Sequence, residues 1–464
     1  MKYKTLPLLL SAALLSGCAY LTPSYERPDA PVADQWSIEG LAAAPSGNQT
    51  ARLTPWRAFF GNADLQQLIE TALQNNRDLR VTALNVERVQ ALYRIQRADQ
   101  FPTLAGVASG QGQGSYSDNI PTTHAYSVGL GVSSFELDLF GRVASLKNQA
   151  LESYLSSESA LKSARIALIA NVANAYYNLI ADREHLKVSR ETLKNQRDSY
   201  QLIKTRYDHG VASELALRQA QMTMESSRVD VASYSTKVAQ DVNALVLLLG
   251  TKGLPKVLTG EMVVEIGEMP ALNLGEVPSD VLKQRPDIIS AEHSLKAAYA
   301  NIGAARAAFF PRIALTAQTG YASNALSGLF DAGTSAWSFA ANLTLPIFDT
   351  GRNLANLDAA NVGRDIAVAE YERAIQVAFR EVSDALAQRA TIDEQLDAQT
   401  ALFDAAQASQ KLSTARYEKG VDSYLNVLDA ERSMYSARQG LVNLQLAKQV
   451  NQIMLYKALG GGLQ

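Results

Sequence analysis

The sequence predicts an α+β chain, a tandem-duplicated protomer with four amphipathic β-strands and very long α-helices. Three observations predict it. The stretch TRYDHGVASELALRQAQ, from Thr205, returns as ARYEKGVDSYLNVLDAE from Ala415, 210 residues later. All fourteen prolines lie outside 122–254 and 347–464, leaving two long stretches in which nothing breaks a helix. Segments of about ten residues alternate bulky with small or polar side chains, the period of a strand.

The N-terminus precedes the fold. Lys2 and Lys4 form a short basic region and Leu6–Leu15 an apolar core too short to span a membrane, as in a secretory signal. It ends in Leu15-Ser16-Gly17-Cys18, which resembles the lipobox of bacterial lipoproteins. That resemblance implies cleavage after residue 17, a diacylglycerol on the Cys18 thiol and a third acyl chain on the new amine. Ala19 after the cysteine implies sorting to the outer membrane. Cys18 is the one cysteine of the chain, which excludes an intrachain disulfide. The covalent lipid on Cys18 would be a stable anchor to outer-membrane lipid, and no other cofactor is expected. Residues 18–55, rich in Pro, Ala and Ser, read as an extended tether. Charge is balanced, 43 Lys and Arg against 46 Asp and Glu, which offers no basic surface to a nucleic acid.

The duplication defines the rest. QRADQFPTLA at 96–105 matches ARAAFFPRIA at 305–314 with an offset of 209, and Gly141-Arg142 matches Gly351-Arg352 with an offset of 210. The first structural repeat spans 56–255: a helix, a β-hairpin at 103–137 and a long helical hairpin at 142–250. A linker covers 256–278. The second repeat, 279–464, holds a helix, a β-hairpin at 312–346 and a helical hairpin at 352–460. Val143–His209 contains neither Pro nor Gly, and as one helix it would extend roughly 100 Å. Val172, Leu179, Leu186, Leu193, Tyr200 and Tyr207 recur every seven residues, a coiled-coil seam. The second copy keeps Val382, Leu396, Phe403 and Tyr417 but inserts Arg389 and Gln410, as a hollow assembly with a polar interior would tolerate. Gly210 and Gly420 sit where a helix ends in a left-handed residue, and Ser213 and Ser423 are placed to cap the next helix. Each quoted stretch is thus the turn of a helical hairpin.

The strands alternate. In AYSVGLGVSSF, Tyr126, Val128, Leu130 and Val132 share a face; in WSFAANLTL, Trp337, Phe339, Ala341, Leu343 and Leu345 do; in RIALTAQTGY, Ile313, Leu315 and Tyr321 do. A half-buried soluble sheet has the same period; the signal and the lipobox-like ending favour a lipid-facing barrel. After the signal no apolar run approaches the length of a transmembrane helix, so a membrane could be spanned only by strands. Four strands per chain are too few, since bacterial barrels begin at about eight. A homotrimer with a 12-stranded outer-membrane β-barrel, continued by an α-helical tunnel, is the simplest closure.

FELDLFGR (135–142), RPDI (285–288), ANIGAARAAFFPRIALT (300–316), LPIFDTGR (345–352), RYEKGVDSYLNVLDAER (416–432) and LYKALGGG (455–462), with the lipobox, together resemble the outer-membrane efflux lipoproteins. These are the TolC-like channels of tripartite multidrug pumps of the resistance-nodulation-division (RND) class. The resemblance covers essentially the whole chain from Cys18. It implies a trimer with its tunnel in the periplasm, docked to a periplasmic adaptor (membrane fusion) protein and an inner-membrane RND transporter.

Nothing points to an enzyme. GQGQG at 110–114 lacks the Gly-Lys-Ser/Thr of a phosphate loop and reads as a hairpin loop. His124, His185, His209 and His293 have no metal-ligand spacing. Leu425, Asp429 and Arg432, at i, i+4 and i+7, share one helix face after the second turn, where the first copy has Leu215, Gln219 and Met222. Spacing alone favours an ordinary solvated Asp–Arg pair within one helix. The resemblance implies that Leu425, Asp429 and Arg432 form a periplasmic gate, in which Asp422 either joins or caps the helix. The exposed turns at Gly210, Val211, Gly420 and Val421 are the expected adaptor contacts. Alternatives are the same channel serving type I protein secretion or metal efflux, and a lipid-anchored coiled-coil protein without a pore.

Overall fold

A computed structural model of the chain describes residues 21–34, 36, 55–116, 121–253, 255 and 279–462. The signal segment, Cys18 and the linker at 256–278 lie outside the described residues. In order, the elements are α1 (Trp56–Phe59), α2 (Ala63–Asn75), α3 (Arg77–Ala98), β1 (Leu104–Gln113), β2 (Thr123–Leu137), α4 (Arg142–Asp208), α5 (Glu214–Leu249), α6 (Pro286–Ala307), β3 (Arg312–Ser323), β4 (Ser335–Thr344), α7 (Arg352–Glu418) and α8 (Tyr424–Ala458). Both α4 and α7 are 67 residues long and start and stop 210 residues apart.

The chain forms two compact units, each built from both repeats. One takes Met1–Ala30, Leu84–Ser159 and Ile289–Arg373; the other takes Pro31–Ala83, Ala160–Ile288 and Ala374–Gln464. The first unit holds a four-stranded antiparallel sheet in the order β1-β2-β3-β4. Its two hairpins meet at β2 and β3, where Gly129 pairs with Gly320. Only glycine fits there: a Cβ on Gly129 would lie 2.2 Å from the Thr319 carbonyl oxygen, and one on Gly320 2.1 Å from that of Val128. Leu130, Tyr321, Trp337, Phe339 and Leu343 are exposed, and β1 and β4 are open edges. GQGQG is not a loop: Gly110–Gln113 belong to β1 and pair with Tyr126–Thr123. Its alternating glycines leave room for neighbouring rings, since a Cβ on Gly110 would come within 3.2 Å of the Tyr126 ring.

In the same unit the start of the tether is docked along α6. Arg27 donates to both carboxylate oxygens of Glu292 (2.9 and 2.7 Å), and Tyr25 Oη donates to Glu292 Oε1 (3.2 Å). Gly303 gives the strap its path, for a Cβ there would meet Thr22 Oγ1 at 2.1 Å.

The second unit contains the apolar core. Trp56, Phe59, Phe60, Leu65, Leu68 and Ile69 pack on Val172, Tyr176 and Leu179 of α4, Leu245 and Leu249 of α5, and Ile453 and Tyr456 of α8. Phe59 stacks on Tyr456 at 4.3 Å. Of the heptad series, Val172, Leu179, Leu186 and Leu193 are buried, but Tyr207 is exposed. Burial passes instead to Ser189, Gln196 and Ile203. A straight α-helix drifts about 20° per heptad, so a strict seven-residue stripe rotates off its neighbour. Among the described residues no helix is long and apolar enough to cross a membrane.

Candidate functional site

The two helical hairpin tips have the same backbone. Gly210 and Gly420 both have φ +73°. Gly210 N donates to Tyr207 O and Val211 N to Arg206 O (both 2.8 Å); Gly420 N and Val421 N repeat this to Tyr417 O and Arg416 O (both 2.9 Å). This bond pair closes a helix on a left-handed residue, which is why glycine stands there. A Cβ on either glycine would meet nothing within 4 Å, so the requirement is conformational, not spatial. Val211 and Val421 crown the turns at 76% and 61% exposure.

The next helices start differently. Ser213 Oγ accepts from Ala216 N at 3.1 Å. Ser423 has the same extended conformation but makes no side-chain cap, contrary to the sequence expectation. The Asn426 amide, which its hydroxyl would have taken, donates to the Ser423 carbonyl oxygen instead.

Asp429 and Arg432 come together as an exposed i, i+3 ion pair at 3.5 Å, one turn beyond the half-exposed Leu425. Among the described residues neither side chain has a partner elsewhere in the chain, and such a pair contributes only about 0–1 kcal/mol. Asp422 does not cap α8: Arg416 donates to its carboxylate through Nε and Nη2, closing a ring across the turn. The Arg416 hydrogen bond holds the Asp422 carboxyl below its ordinary value.

In the first tip the repeat partner of Asp422 is Ala212, so Arg206, the partner of Arg416, has no acid six residues on, and the nearby Asp208 is paired with Lys204. Arg206 crosses to the second hairpin, donating to Tyr417 Oη at 2.6 Å with its guanidinium 5.2 Å from the ring centroid. Tyr417 in turn lies 5.3 Å from the half-buried Tyr424 ring. Sequence reasoning missed this link. The signal was available: two matching arginines, only one of which has an acid six residues later.

Away from the tips, α4 and α8 are joined by polar contacts at the drifted seam positions. Gln196 Nε2 donates to Glu431 Oε2 at 2.7 Å, and burial raises the Glu431 pKa. Ser189 Oγ and Tyr435 Oη are 2.8 Å apart, and Tyr435, pushed up to about 12 by burial, donates to Asp230 of α5 at 3.2 Å. Arg438 pairs with Glu184 (3.2 Å) and Glu191 (3.0 Å). His185 contacts Asn443 Oδ1 at 3.0 Å and stacks on Tyr234 at 4.9 Å, and burial lowers its pKa. A seam of this kind keeps its register through specific partners.

The histidines serve separate local contacts, as with His293 Nδ1 at 2.6 Å from Glu152. Among the described residues no three His, Cys, Asp or Glu side chains are grouped to hold a metal ion.

Comparison with known proteins fits this architecture. The family model for outer membrane efflux proteins matches twice, over 68–251 and 277–461. The probable efflux pump outer membrane protein TtgC of Pseudomonas putida is 49% identical, over 98% of this chain and 95% of that relative. The cation efflux system protein CusC of Escherichia coli is 43% identical over 99% of each. The crystal structure of the open state of the Neisseria gonorrhoeae MtrE outer membrane channel superposes with a TM-score of 0.84 at 38% identity, covering 96% of this chain and 99% of that one. With both repeats matched and relatives near half identity over their full length, this chain belongs to the outer membrane efflux protein family.

Proposed function

We propose that the chain is the outer-membrane channel of a tripartite efflux pump, a passive conduit rather than an enzyme. Three copies close a twelve-stranded barrel in the outer membrane, continued by a helical tunnel in the periplasm. The observation that carries this reading is the sheet: β1 and β4 leave edges unpaired while Trp337, Phe339 and Leu343 face outward uncovered. In lipid every backbone polar group needs a partner, so such a sheet requires other copies to close it.

Energy comes from an inner-membrane RND transporter through a periplasmic adaptor, which docks on the exposed turns at Gly210, Val211, Gly420 and Val421. Leu425, Asp429 and Arg432 form the resting gate: in a trimer three aspartates line one ring, and an arginine held loosely at 3.5 Å is free to change partner. Asp422 stiffens the second turn through Arg416. The lipid on Cys18 fixes the chain to the outer membrane. The names of the toluene efflux pump protein TtgC and the antibiotic efflux pump protein ArpC of Pseudomonas putida support export of toxic small compounds; the name of CusC favours, as a second reading, export of metal cations. A strain lacking the gene separates them. It becomes more susceptible to drugs and solvents on the first reading, and more susceptible only to metal salts on the second. Unchanged susceptibility to all of these would overturn both.

A further inference from the structure

The chain contains one junction between repeats and, by symmetry, implies another. Inside the chain β2 of the first hairpin lies beside β3 of the second, and the base of that junction is stitched. The Phe140 ring, in the connector after β2, stacks on Phe310, just before β3, with centroids 4.7 Å apart and planes 22° apart. Glu136, at the end of β2, accepts two hydrogen bonds of 2.8 Å from Arg142 and two, of 3.1 and 2.6 Å, from Arg312.

The free edges carry the repeat partners of Phe310, Glu136 and Arg312 at the same end of the sheet, since β1 starts and β4 ends there, while Phe140 is matched by Thr350. Phe101, the partner of Phe310, is 65% exposed. In the connector after β4, Ile347 and Phe348 are 93% and 86% exposed, and Leu345 beside them is exposed too. The ionic hub is gone from this side, because Glu136 is matched by Pro346 and Arg312 by Thr103. A one-residue shift accounts for the outward phenylalanine. In the first connector Asp138 caps α4, accepting from Val143 N (3.1 Å) and Ala144 N (2.7 Å). In the second the cap is Asp349, accepting from Gly351 N (3.0 Å) and Asn353 N (2.9 Å). The position matching Asp138 is thereby released from capping and holds Phe348.

We propose that Phe101 of one copy packs on the Leu345–Phe348 connector of the next, an apolar clasp without charges at the base of the barrel. It is the intermolecular counterpart of the Phe140–Phe310 stack. The occupant is a second copy of this chain, because within the chain the equivalent rings, Phe140 and Phe310, already stack on each other across the repeat junction, and closing β4 on β1 brings the two exposed clusters together. Exposed apolar side chains on this scale mark a contact surface, and large buried anchors carry most of an interface's energy. The inference rests on the closed trimer proposed above.

The test is the paired variant Phe101→Cys with Phe348→Cys in the full chain, oxidised in the outer membrane and run without reductant. The two positions flank strands three spacings apart in one chain, about 14 Å at 4.8 Å per strand, beyond the ~7 Å Cα limit of a disulfide. A bond therefore reports two copies. The proposal expects covalent dimers and trimers from the pair and from neither single variant, and a lower trimer dissociation temperature in detergent for Phe348→Ala. A wild type that is trimeric by light scattering, with no cross-link and an unchanged dissociation temperature, overturns the clasp and leaves the trimer standing. A Phe348→Ala effect confined to extraction from bilayers overturns it in favour of lipid contact. A wild type that is not trimeric overturns the closed barrel, and the clasp with it.

Discussion

At the first hairpin tip Arg206 leaves its own turn and donates to Tyr417, while at the second its repeat partner Arg416 stays on Asp422. Both turns nevertheless share the glycine angle of +73° and the same closing bonds. Helix length and a left-handed glycine set the backbone of both copies alike. One side-chain difference, Ala212 against Asp422, then decides whether an arginine serves its own turn or ties the two hairpins together. The exposed Asp429–Arg432 pair extends the contrast, because the first copy has uncharged Gln219 and Met222 there. Duplication supplies a scaffold, and divergence makes one hairpin the latch and the other the candidate gate.

The strongest way to break this comparison is to remove each arginine. Arg206→Ala deletes a charge-assisted bond and a ring contact between hairpins and should cost about 1–2 kcal/mol locally. Amide exchange around 203–211 and 417–424 should speed roughly tenfold. Arg416→Ala, losing an exposed pair, should change exchange less than about twofold. Equal effects would mean that the two tips are not differentiated.

A second contrast lies midway along the hairpins. In the first copy Asp182 and Asp241 face each other, and burial, with the Asp182 charge adding, pushes Asp241 up to about 6. Among the described residues its buried Oδ2 has no hydrogen-bond donor. The second copy has Ile392 and Asn451 at these positions, and Asn451 donates to the Ala385 carbonyl at 2.8 Å and to Gln388 Oε1 at 3.1 Å. A carboxyl whose folded pKa is raised contributes stability that is complete below its unfolded value and lost as pH rises through the folded one. Thermal stability should therefore fall between about pH 4 and 6.5 in the wild type and level off above that. Asp241→Asn, which imports the second copy's solution, should flatten that fall and add about 1 kcal/mol at pH 7.5, with solvent screening allowed for.

The smallest effect expected is from Ala212→Asp, which gives the first tip the second tip's acid. It should draw Arg206 back to its own turn and reproduce part of the Arg206→Ala exchange phenotype, with global stability changed by less than about 0.5 kcal/mol. Slower exchange than wild type would show that Arg206 does not divide between the two partners.

The helices and strands were legible because their signals are local. Prolines and glycines mark the ends of α4, α5, α7 and α8, and period-two alternation locates β2, β3 and β4 to within a few residues. GQGQG was misread because glycines chosen to fit rings across a strand pair look like a loop when read singly. The Tyr207 end of the seam was misplaced because a heptad count ignores the drift of a straight helix. Arg206–Tyr417 and Gln196–Glu431 join residues more than 200 positions apart, and they depend on which faces α4 and α8 turn to each other, which no local pattern records. The proposed gate residues were reached through family resemblance, since an Asp–Arg pair on an exposed helix face carries no signal of its own.

The central claim is that the resting gate lies in the second hairpin alone. The most direct test is single-channel conductance in planar bilayers, comparing the wild type, Asp429→Ala and Gln219→Ala. The account predicts a small conductance in the wild type and in Gln219→Ala, and a clearly larger one in Asp429→Ala. A pore unchanged by Asp429→Ala, or opened equally by Gln219→Ala, would contradict it.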